Sequence, residues 1–364
     1  MIKKKLKLSY KYFIQKFFKI LHGPIYISKK KDLKLTKKVI SKFKSFKNKN
    51  YHIYSIKNAR IFTDNNENVA IIKNNTIISK ISYQQIKGRL KSIRFNSVIK
   101  QGTTSFSKKI SGTVFNLCQG GSGNNYFHFI FDILPKLYLL KSKVNLKKIN
   151  FFYISDPKKW QIKILNILGI SQKKLLSSKT NKHIICDEVL TVDHPWYNQG
   201  SIEVEVKKIP KWIVLQNRKI FKKKAEKFIC NKKIFLDRSQ SIYNHCQIEN
   251  PNDLTILIKK NNFGIYRPEK IPFKKQIFLF KNASVIIGAH GAAFTNIIFC
   301  KPNTKIIEII PSNHQNKKCE RISKILKLKY FRIETVPDNS DANYPFKINI
   351  NKKNLKLIEK IVNL

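Results

Sequence analysis

The chain has 364 residues, 42% of them hydrophobic, and a formal charge of +52. That length suits two domains of ordinary size, and that apolar content excludes wholesale disorder. Only eight of the 73 basic residues are arginine, while asparagine and isoleucine are abundant, so the charge reads as a compositional bias spread along the chain rather than as one patch.

A charge of this size attracts anionic lipid, nucleic acid and phosphorylated substrates without choosing among them. Cys118, Cys186, Cys230, Cys246, Cys300 and Cys319 are widely spaced, with no C-x-x-C pair. In a chain this long they read as reduced thiols of a cytosolic protein, not as a disulfide framework or a zinc site. No signal-peptide pattern opens the sequence. The apolar run Tyr126 to Leu140 is too interrupted by His128, Asp132, Pro135 and Lys136 to read as a membrane span.

Met1 to Lys31 is basic, with Leu8, Tyr12, Phe13, Phe17, Phe18 and Leu21 near helical spacing. It fits an interfacial amphipathic helix drawn to an anionic bilayer, or equally a helix packed on the body with a solvated lysine face. From Tyr51 to Ser105 the pattern is short strands and turns. Ala59 to Thr63 and Val69 to Ile72 flank the polar stretch Asp64 to Asn68, a hairpin signal.

Val114 to Leu117 reads as a strand, and Gln119 to Asn125 as a glycine-rich turn ending in an asparagine suited to cap a helix. The helix that follows, Tyr126 to Leu137, carries His128 and Asp132 four residues apart and so on one face. That pair suits a general base with an orienting carboxylate; a plain ion pair, or a buried histidine satisfied by its neighbour, fits the same spacing. Phe151 to Ser155, Trp160 to Leu168 and Glu188 to Val192 continue a βαβ alternation. His194 to Gly200 reads as a loop, and Lys207 to Phe228 as a helix linking two halves.

Strand Lys233 to Leu236 ends in Asp237-Arg238. A scarce arginine at a strand end offers a planar fork for phosphate oxygens, or an ion pair with Asp237 or another acid. Helices at Asn252 to Lys260 and Phe273 to Phe280 bracket the strand Ile265-Tyr266. A buried strand, Val285 to Ile287, then runs into Gly288-Ala289-His290-Gly291-Ala292-Ala293 and a segment with Phe294, Ile297 and Ile298 at helical spacing. The amides of Gly291, Ala292 and Ala293, at the positive end of a helix, would admit a phosphate closely, with His290 as a further donor. An ordinary tight βα turn has the same pattern. Strand Ile306 to Ile310 carries one acid, Glu308; a strand at Lys329 to Val336 and a helix at Asn354 to Leu364 end the chain.

Taken together, Asn125-Tyr126-Phe127-His128 with Asp132 and Leu134-Pro135-Lys136, Phe235-Leu236-Asp237-Arg238, and Ile287-Gly288-Ala289-His290-Gly291-Ala292 with Thr295-Asn296 and Glu308 resemble the ordered motifs of glycosyltransferase family 61. The resemblance runs from about Thr113 to Pro311. It departs from the family at a second arginine often found before the asparagine matched by Asn250, where His245 stands close by.

The resemblance implies an α/β protein of GT-B type, two facing Rossmann-type domains with a cleft between them. Its divisions would be a basic segment 1–45, an acceptor-side domain 46–206, a nucleotide-sugar domain 207–341 and a helix 342–364 returning to the body. It implies an inverting, metal-independent transfer from a nucleotide sugar, with UDP as the expected nucleotide, to a glycan or lipid-linked oligosaccharide, as in bacterial capsular polysaccharide synthesis, with no cofactor. His128 oriented by Asp132 would be the base, with Asp132 acting directly as the variant. Arg238, Gly288, His290, Gly291, Ala292, Ala293, Thr295, Asn296 and Glu308 would bind the donor, Glu308 through ribose hydroxyls. Asn125, His245 and Gln276 are secondary candidates. A cytoplasmic place follows, peripheral on the inner membrane face if the basic segment binds lipid. The rivals are a nucleic-acid-binding protein, for which no motif or segregated basic face is found, and another nucleotide-sugar enzyme such as an epimerase.

Overall fold

Apolar β-branched runs separated by amphipathic stretches dictate alternating strands and helices, and the chain forms two compact units, Met1–Pro210 and Lys211–Leu364. The computed structural model describes residues 2–27, 36–45, 47, 49–63, 68–86, 89–119, 123, 125–196, 200–241, 245–336 and 347–364. The expected polar hairpin turn at Asp64 to Glu67, Gly120, Gly121, Ser122 and Asn124 of the glycine-rich turn, and residues 197–199 of the expected loop lie outside these.

The first unit opens with helix α1 (Ile2–His22). Strands β1 (Thr36–Lys44), β2 (Asn50–Phe62), β3 (Asn68–Lys73), β4 (Tyr83–Ile86) and β5 (Lys108–Asn116) follow. The hairpin expected at Ala59 to Ile72 is present, with Arg60 opposite Ile72 and Phe62 opposite Ala70. Helix α2 runs through Tyr126–His128, a π-helical turn Phe129–Ile133 and Leu134–Lys141. Then come β6 (Phe151–Ile154), α3 (Lys159–Ile167), β7 (Leu175–Ser177) and β8 (His183–Val192).

Among the described residues these strands belong to a twelve-stranded mixed sheet, in the order β7–β6–β5–β8–β2–β3–β4. The β7–β6–β5–β8 part is parallel, whereas β8, β2, β3 and β4 pair antiparallel, as do β1 and β2. The α/β expectation holds, and the sheet of the first unit is mixed rather than all-parallel. Crossover helices α2 and α3 build its parallel neighbours, and the short links β1–β2, β2–β3 and β3–β4 give antiparallel ones. Helix α2 therefore begins beyond the C-terminal end of a parallel strand.

The π turn in α2 has a local cause. Pro135 has no N–H to continue α-helical bonding, and the Leu134 N–H reaches back five residues to the Phe129 carbonyl. From Phe127 to Leu140 every side chain is buried, polar ones included.

The second unit starts with α4 (Lys211–Phe221), shorter than the expected helix from Lys207 to Phe228. Pro210 holds Ile209 extended, and three lysines after Phe221 form only a 3-10 turn. Among the described residues five parallel strands make its main sheet: β9 (Lys233–Leu236), then, after α5 (Pro251–Lys260), β10 (Gly264–Tyr266) and, after α6 (Phe273–Asn282), β11 (Val285–Ala289). After a 3-10 helix Ala292–Phe299 come β12 (Lys305–Pro311), α7 (Lys318–Leu326), β13 (Lys329–Thr335) and α8 (Lys352–Asn363). The expected helix after Gly291 is thus 3-10 rather than α.

The sheet order is β10–β9–β11–β12–β13, so the strands run 2-1-3-4-5 and the winding reverses between β9 and β11. In such sheets ligands bind beyond the strand C-termini at that reversal. Leu254 and Leu257 of α5 and Ile358, Ile361 and Val362 of α8 pack with Ile287, Ile307, Ile309 and Ile333 on one face. Ile286 and Ile306 alternate to the other. Leu236, Gly288, Glu308 and Arg332 form one row across the sheet.

Gly288 shows how tight that row is. A Cβ there would lie 2.9 Å from Leu236 Cβ and 3.2 Å from its carbonyl oxygen, with the Phe294 ring at 3.5 Å. The residue expected to touch the donor instead lets two strands and the 3-10 helix close on one another. Gly288→Ala should lower the urea unfolding free energy by about 2 kcal/mol through overpacking; an unchanged midpoint would refute this account.

Candidate active site

At the reversal in the second unit, β9 delivers Arg238 and β11 delivers His290 and Gly291. The guanidinium lies directly on the Gly291 Cα, where any Cβ would overlap Nη1 and Cζ. Gly291 is extended (φ 172°), so its need for glycine is proximity and not backbone strain. Asp237 is not the arginine's partner. It bonds Arg267 Nε at 2.6 Å and the Ser239 N–H at 2.8 Å, which removes the ion-pair alternative with that neighbour. Arg238 Nη2 donates to the His245 carbonyl at 2.9 Å, and its Nε is buried with no acceptor among the described residues. Burial pushes the guanidinium pKa down.

Lys318, at the start of α7, donates from Nζ to the Gly291 carbonyl at 2.8 Å. It is 3% exposed, and burial again lowers its pKa. Two cations, Lys318 buried and Arg238 half-buried, therefore flank the glycine at the start of the 3-10 helix, whose first amides have no acceptor within the helix. Such an arrangement can receive an anion.

His290 Nδ1 donates to Glu308 Oε1 at 2.6 Å. Glu308 is fully buried and also accepts from Cys319 Sγ at 2.9 Å and the Tyr330 hydroxyl at 2.6 Å. Burial opposes its charge, yet the His290 charge and these donors hold the carboxyl down at about 2. The expectation that Glu308 meets ribose hydroxyls is therefore corrected: its oxygens are already engaged, and it fixes the His290 ring instead. Burial lowers the His290 pKa, against the pull of Glu308.

His245 and His314 complete an imidazole group, their Nε2 atoms 3.1 Å apart and the His290 and His314 ring centres 4.6 Å apart. The Asn316 amide donates to His314 Nδ1, which leaves its Nε2–H to donate to His245. Burial and neighbouring positive groups push His245 to about 3 and His314 to about 2. Cys246 Sγ lies 3.5 Å from His245 Nε2, a proximity of histidines and cysteine that spacing along the chain concealed. Each of the six cysteines is a free thiol.

Thr295 is fully buried with no partner for Oγ1. Asn296 Nδ2 donates to Gln276 Oε1 at 2.8 Å, while Gln276 Nε2 holds the Pro268 and Ile271 carbonyls. These two carboxamides brace the loop before α6 against the 3-10 helix, a positioning role.

The first unit holds the other candidate pair. Asn125 Oδ1 caps α2 through the Phe127 and His128 amides. His128 Nδ1 lies 2.7 Å from Asp132 Oδ2, and Trp196 Nε1 donates to Asp132 Oδ1 at 2.6 Å. Asp132 is fully buried; His128 keeps 7% exposure. With Nδ1–H on the carboxylate, the neutral ring keeps a lone pair on Nε2. Lys136 is fully buried below them, with Nζ 3.4 Å from the Cys118 carbonyl and 4.9 Å from the Tyr83 ring centre. Burial lowers it to about 8, against the pull of Cys118 and Asp132.

Trp196, Lys136, Lys318, His314, Cys319 and Tyr330 are not among the site residues expected from the sequence. Lys136 was within reach, as a lysine inside an otherwise apolar helix. The others join the site across distant segments.

Comparison with known proteins converges on this region. The family profile described as Glycosyltransferase 61 matches residues 126–307, which is half the chain and includes both candidate clusters apart from Asn125, Glu308, His314, Lys318, Cys319 and Tyr330. The chain belongs to glycosyltransferase family 61. A beta-1,2-xylosyltransferase of Arabidopsis thaliana is 47% identical over 57 residues, 16% of this chain and 11% of that protein. One from Oryza sativa subsp. japonica is 40% identical over 60 residues, again 16% and 11%. The match thus spans about a tenth of these relatives. Among solved structures, a flavo di-iron protein variant from Thermotoga maritima covers 90% of this chain and 98% of its own at 8% identity with a TM-score of 0.24, too slight a likeness to bear on fold or function.

The Glu308 carboxylate has a pH signature. Its folded pKa of about 2 lies below its usual 4.5, so its stabilisation is complete above pH 4.5 and is lost as pH falls towards 2. Glu308→Gln should destabilise by about 3 kcal/mol at pH 7, and the gap from the unmodified protein should close between pH 4.5 and 2 in denaturant titrations. A gap that is constant with pH would contradict the ionised network.

Proposed function

We propose that this chain is an inverting glycosyltransferase that moves a sugar from a nucleoside-diphosphate donor to a glycan or lipid-linked glycan acceptor of the surface-polysaccharide kind. The observation that carries the reading is the Arg238 guanidinium seated on Gly291 at the winding reversal of a 2-1-3-4-5 sheet. A diphosphate there meets a planar fork, the Lys318 charge and the first amides of a helix, the groups that stabilise negative charge as the leaving group departs. Because protein cations fill that role, the transfer requires no divalent ion on the phosphates. We assign the donor to Lys211–Leu364 and the acceptor to Met1–Pro210, a GT-B-like division of labour.

His128 is the proposed base. Both Asp132 oxygens are engaged, by His128 and Trp196, which favours the imidazole over the carboxylate as the proton acceptor. It takes the acceptor hydroxyl proton at Nε2 while that oxygen attacks the anomeric carbon, and the nucleoside diphosphate leaves from the opposite face. A placed base of this kind supplies roughly 10²–10⁴-fold. An epimerase would need no acceptor; transfer to a second molecule separates the readings.

A panel of nucleotide sugars tests the donor. At a hundredfold excess over its dissociation constant the true donor should raise stability by about 2.7 kcal/mol. Arg238→Lys should abolish that shift and cut turnover about 100-fold while leaving the fold intact, because an ammonium cannot copy the fork. Normal turnover in that variant would remove Arg238 from the mechanism.

The amino-terminal helix suits a membrane surface. It carries seven lysines and no acid, and Leu6, Leu8, Tyr12, Phe13 and Ile20 are all more than 60% exposed, while Phe18 packs on Phe106. No helix among the described residues is long and apolar enough to cross a membrane. Phosphatidylglycerol vesicles should co-sediment the protein, and Phe13→Ser with Ile20→Ser should release it; binding that survives this pair would discard the helix as the anchor.

A further inference from the structure

Three residues near Arg238 and Lys318 take no part in the mechanism above: His245, Cys246 and His314. One side-chain donor atom from each lies within 4.8 Å of the other two. His245 and Cys246 come after the arginine that ends β9, and His314 sits in the turn after β12, so the fold assembles the set from distant segments.

The distances are those of a metal's ligand shell. Tetrahedral zinc, bonded at about 2.0 Å to nitrogen and about 2.3 Å to sulfur, holds two nitrogens about 3.3 Å apart and a nitrogen and a sulfur about 3.6 Å apart. Here the two Nε2 atoms are 3.1 Å apart, and Cys246 Sγ is 3.5 Å from His245 Nε2. A neutral imidazole has a single acceptor nitrogen. The lone pair on His245 Nε2 thus faces both the His314 Nε2–H and the Cys246 thiol, a poor arrangement for two protons and a good one for a single cation.

Thiolate and imidazole suit zinc, whereas magnesium, calcium and manganese take oxygen, of which these three side chains offer none. Arg238 and Lys318 both interact electrostatically with Cys246, and such cations favour the thiolate that a metal requires. The same cations repel a divalent ion, so the thiolate charge is indispensable. Cys246 and His314 are buried, and His245, half-buried, gives an ion its way in. His290, Glu308 and Cys319 also stand together, but their hydrogen bonds to one another close that set.

We propose that His245, Cys246 and His314 form a zinc site that clasps the segment after β9 to the turn after β12. Cys246 releases its thiol proton to solvent. The His314 ring proton passes from Nε2 to Nδ1, at the expense of the 3.2 Å bond from the Asn316 amide, and the ion accepts one lone pair from each residue. Three protein ligands leave a fourth position for water. The ion carries no step of sugar transfer. Its effect is mechanical, because the His245 carbonyl that it fixes is the acceptor for Arg238 Nη2. The site stands on its own geometry and not on the glycosyltransferase reading.

Cobalt(II) tests this in zinc's place. Added to the full chain after metal is removed by chelation, one equivalent should give a thiolate-to-cobalt charge-transfer band, and one equivalent of zinc should bleach it. Loss of a supporting hydrogen bond costs a metal site roughly 10–100-fold in affinity, so loss of a ligand should cost at least about 100-fold. Cys246→Ser should therefore abolish the band and weaken zinc binding by that factor, whereas Cys230→Ser, outside the group, should change neither. His245→Ala, at a half-buried position, should weaken zinc binding as much and serves if Cys246→Ser does not fold. No band at one equivalent, or a band and affinity unchanged in Cys246→Ser or His245→Ala, overturns the site. Stabilisation by a nucleotide sugar, measured on zinc-free protein, judges the transferase reading separately, and either result there leaves the zinc result standing.

Discussion

The contact between the Arg238 guanidinium and the bare Cα of Gly291 is the constraint from which the second unit takes its form. A planar cation can lie on the chain only where no side chain intervenes, and only if two strands end at the same height. The row Leu236, Gly288, Glu308 and Arg332 enforces that height. Gly288 lets β9 and β11 approach, and Glu308, one strand further, ties His290 beside the same glycine. Lys318 then closes on the Gly291 carbonyl from α7. Removing any one of these loosens the others, because each is buried and leans on its neighbour.

Both units repeat one device, a histidine whose Nδ1 is tied to a fully buried carboxylate: His128 to Asp132 and His290 to Glu308. Each carboxylate is in turn held by an uncharged donor, Trp196 in one case and Cys319 with Tyr330 in the other. Burying such acids is unfavourable unless every lone pair is used, and the reward is a ring with one orientation and one free nitrogen. What differs is the surroundings. His290 stands among Arg238, Lys318 and two further imidazoles, which suits the anion proposed there. His128 sits in an apolar helix and keeps 7% exposure, which suits the proton transfer proposed for it.

Much of the local structure was legible because it is encoded over a few residues. The hairpin at β2 and β3, the five strands of the second unit and the capped start of α2 all follow from alternation, spacing and Asn125. The helical spacing of His128 and Asp132 placed them together before any coordinates. The mixed sheet of the first unit was not legible, since a strand buried on both faces has the same composition in parallel and antiparallel surroundings. The π turn was hidden because Pro135 permits several local outcomes. Trp196, Cys319 and Tyr330 were missed for a different reason: they complete hydrogen bonds across long sequence separations, and their residue types alone do not distinguish them from core. Glu308 was noticed but assigned outward, because an acid on a buried strand signals function without saying which way its oxygens are used.

Arg238 Nε is buried and meets no acceptor among the described residues. Under the proposed donor assignment, a bound diphosphate would complete its hydrogen bonding, and a ligand held only by the folded chain adds to that chain's stability by mass action. The supply of donor would then bear on how long each copy lasts, with no dedicated regulator.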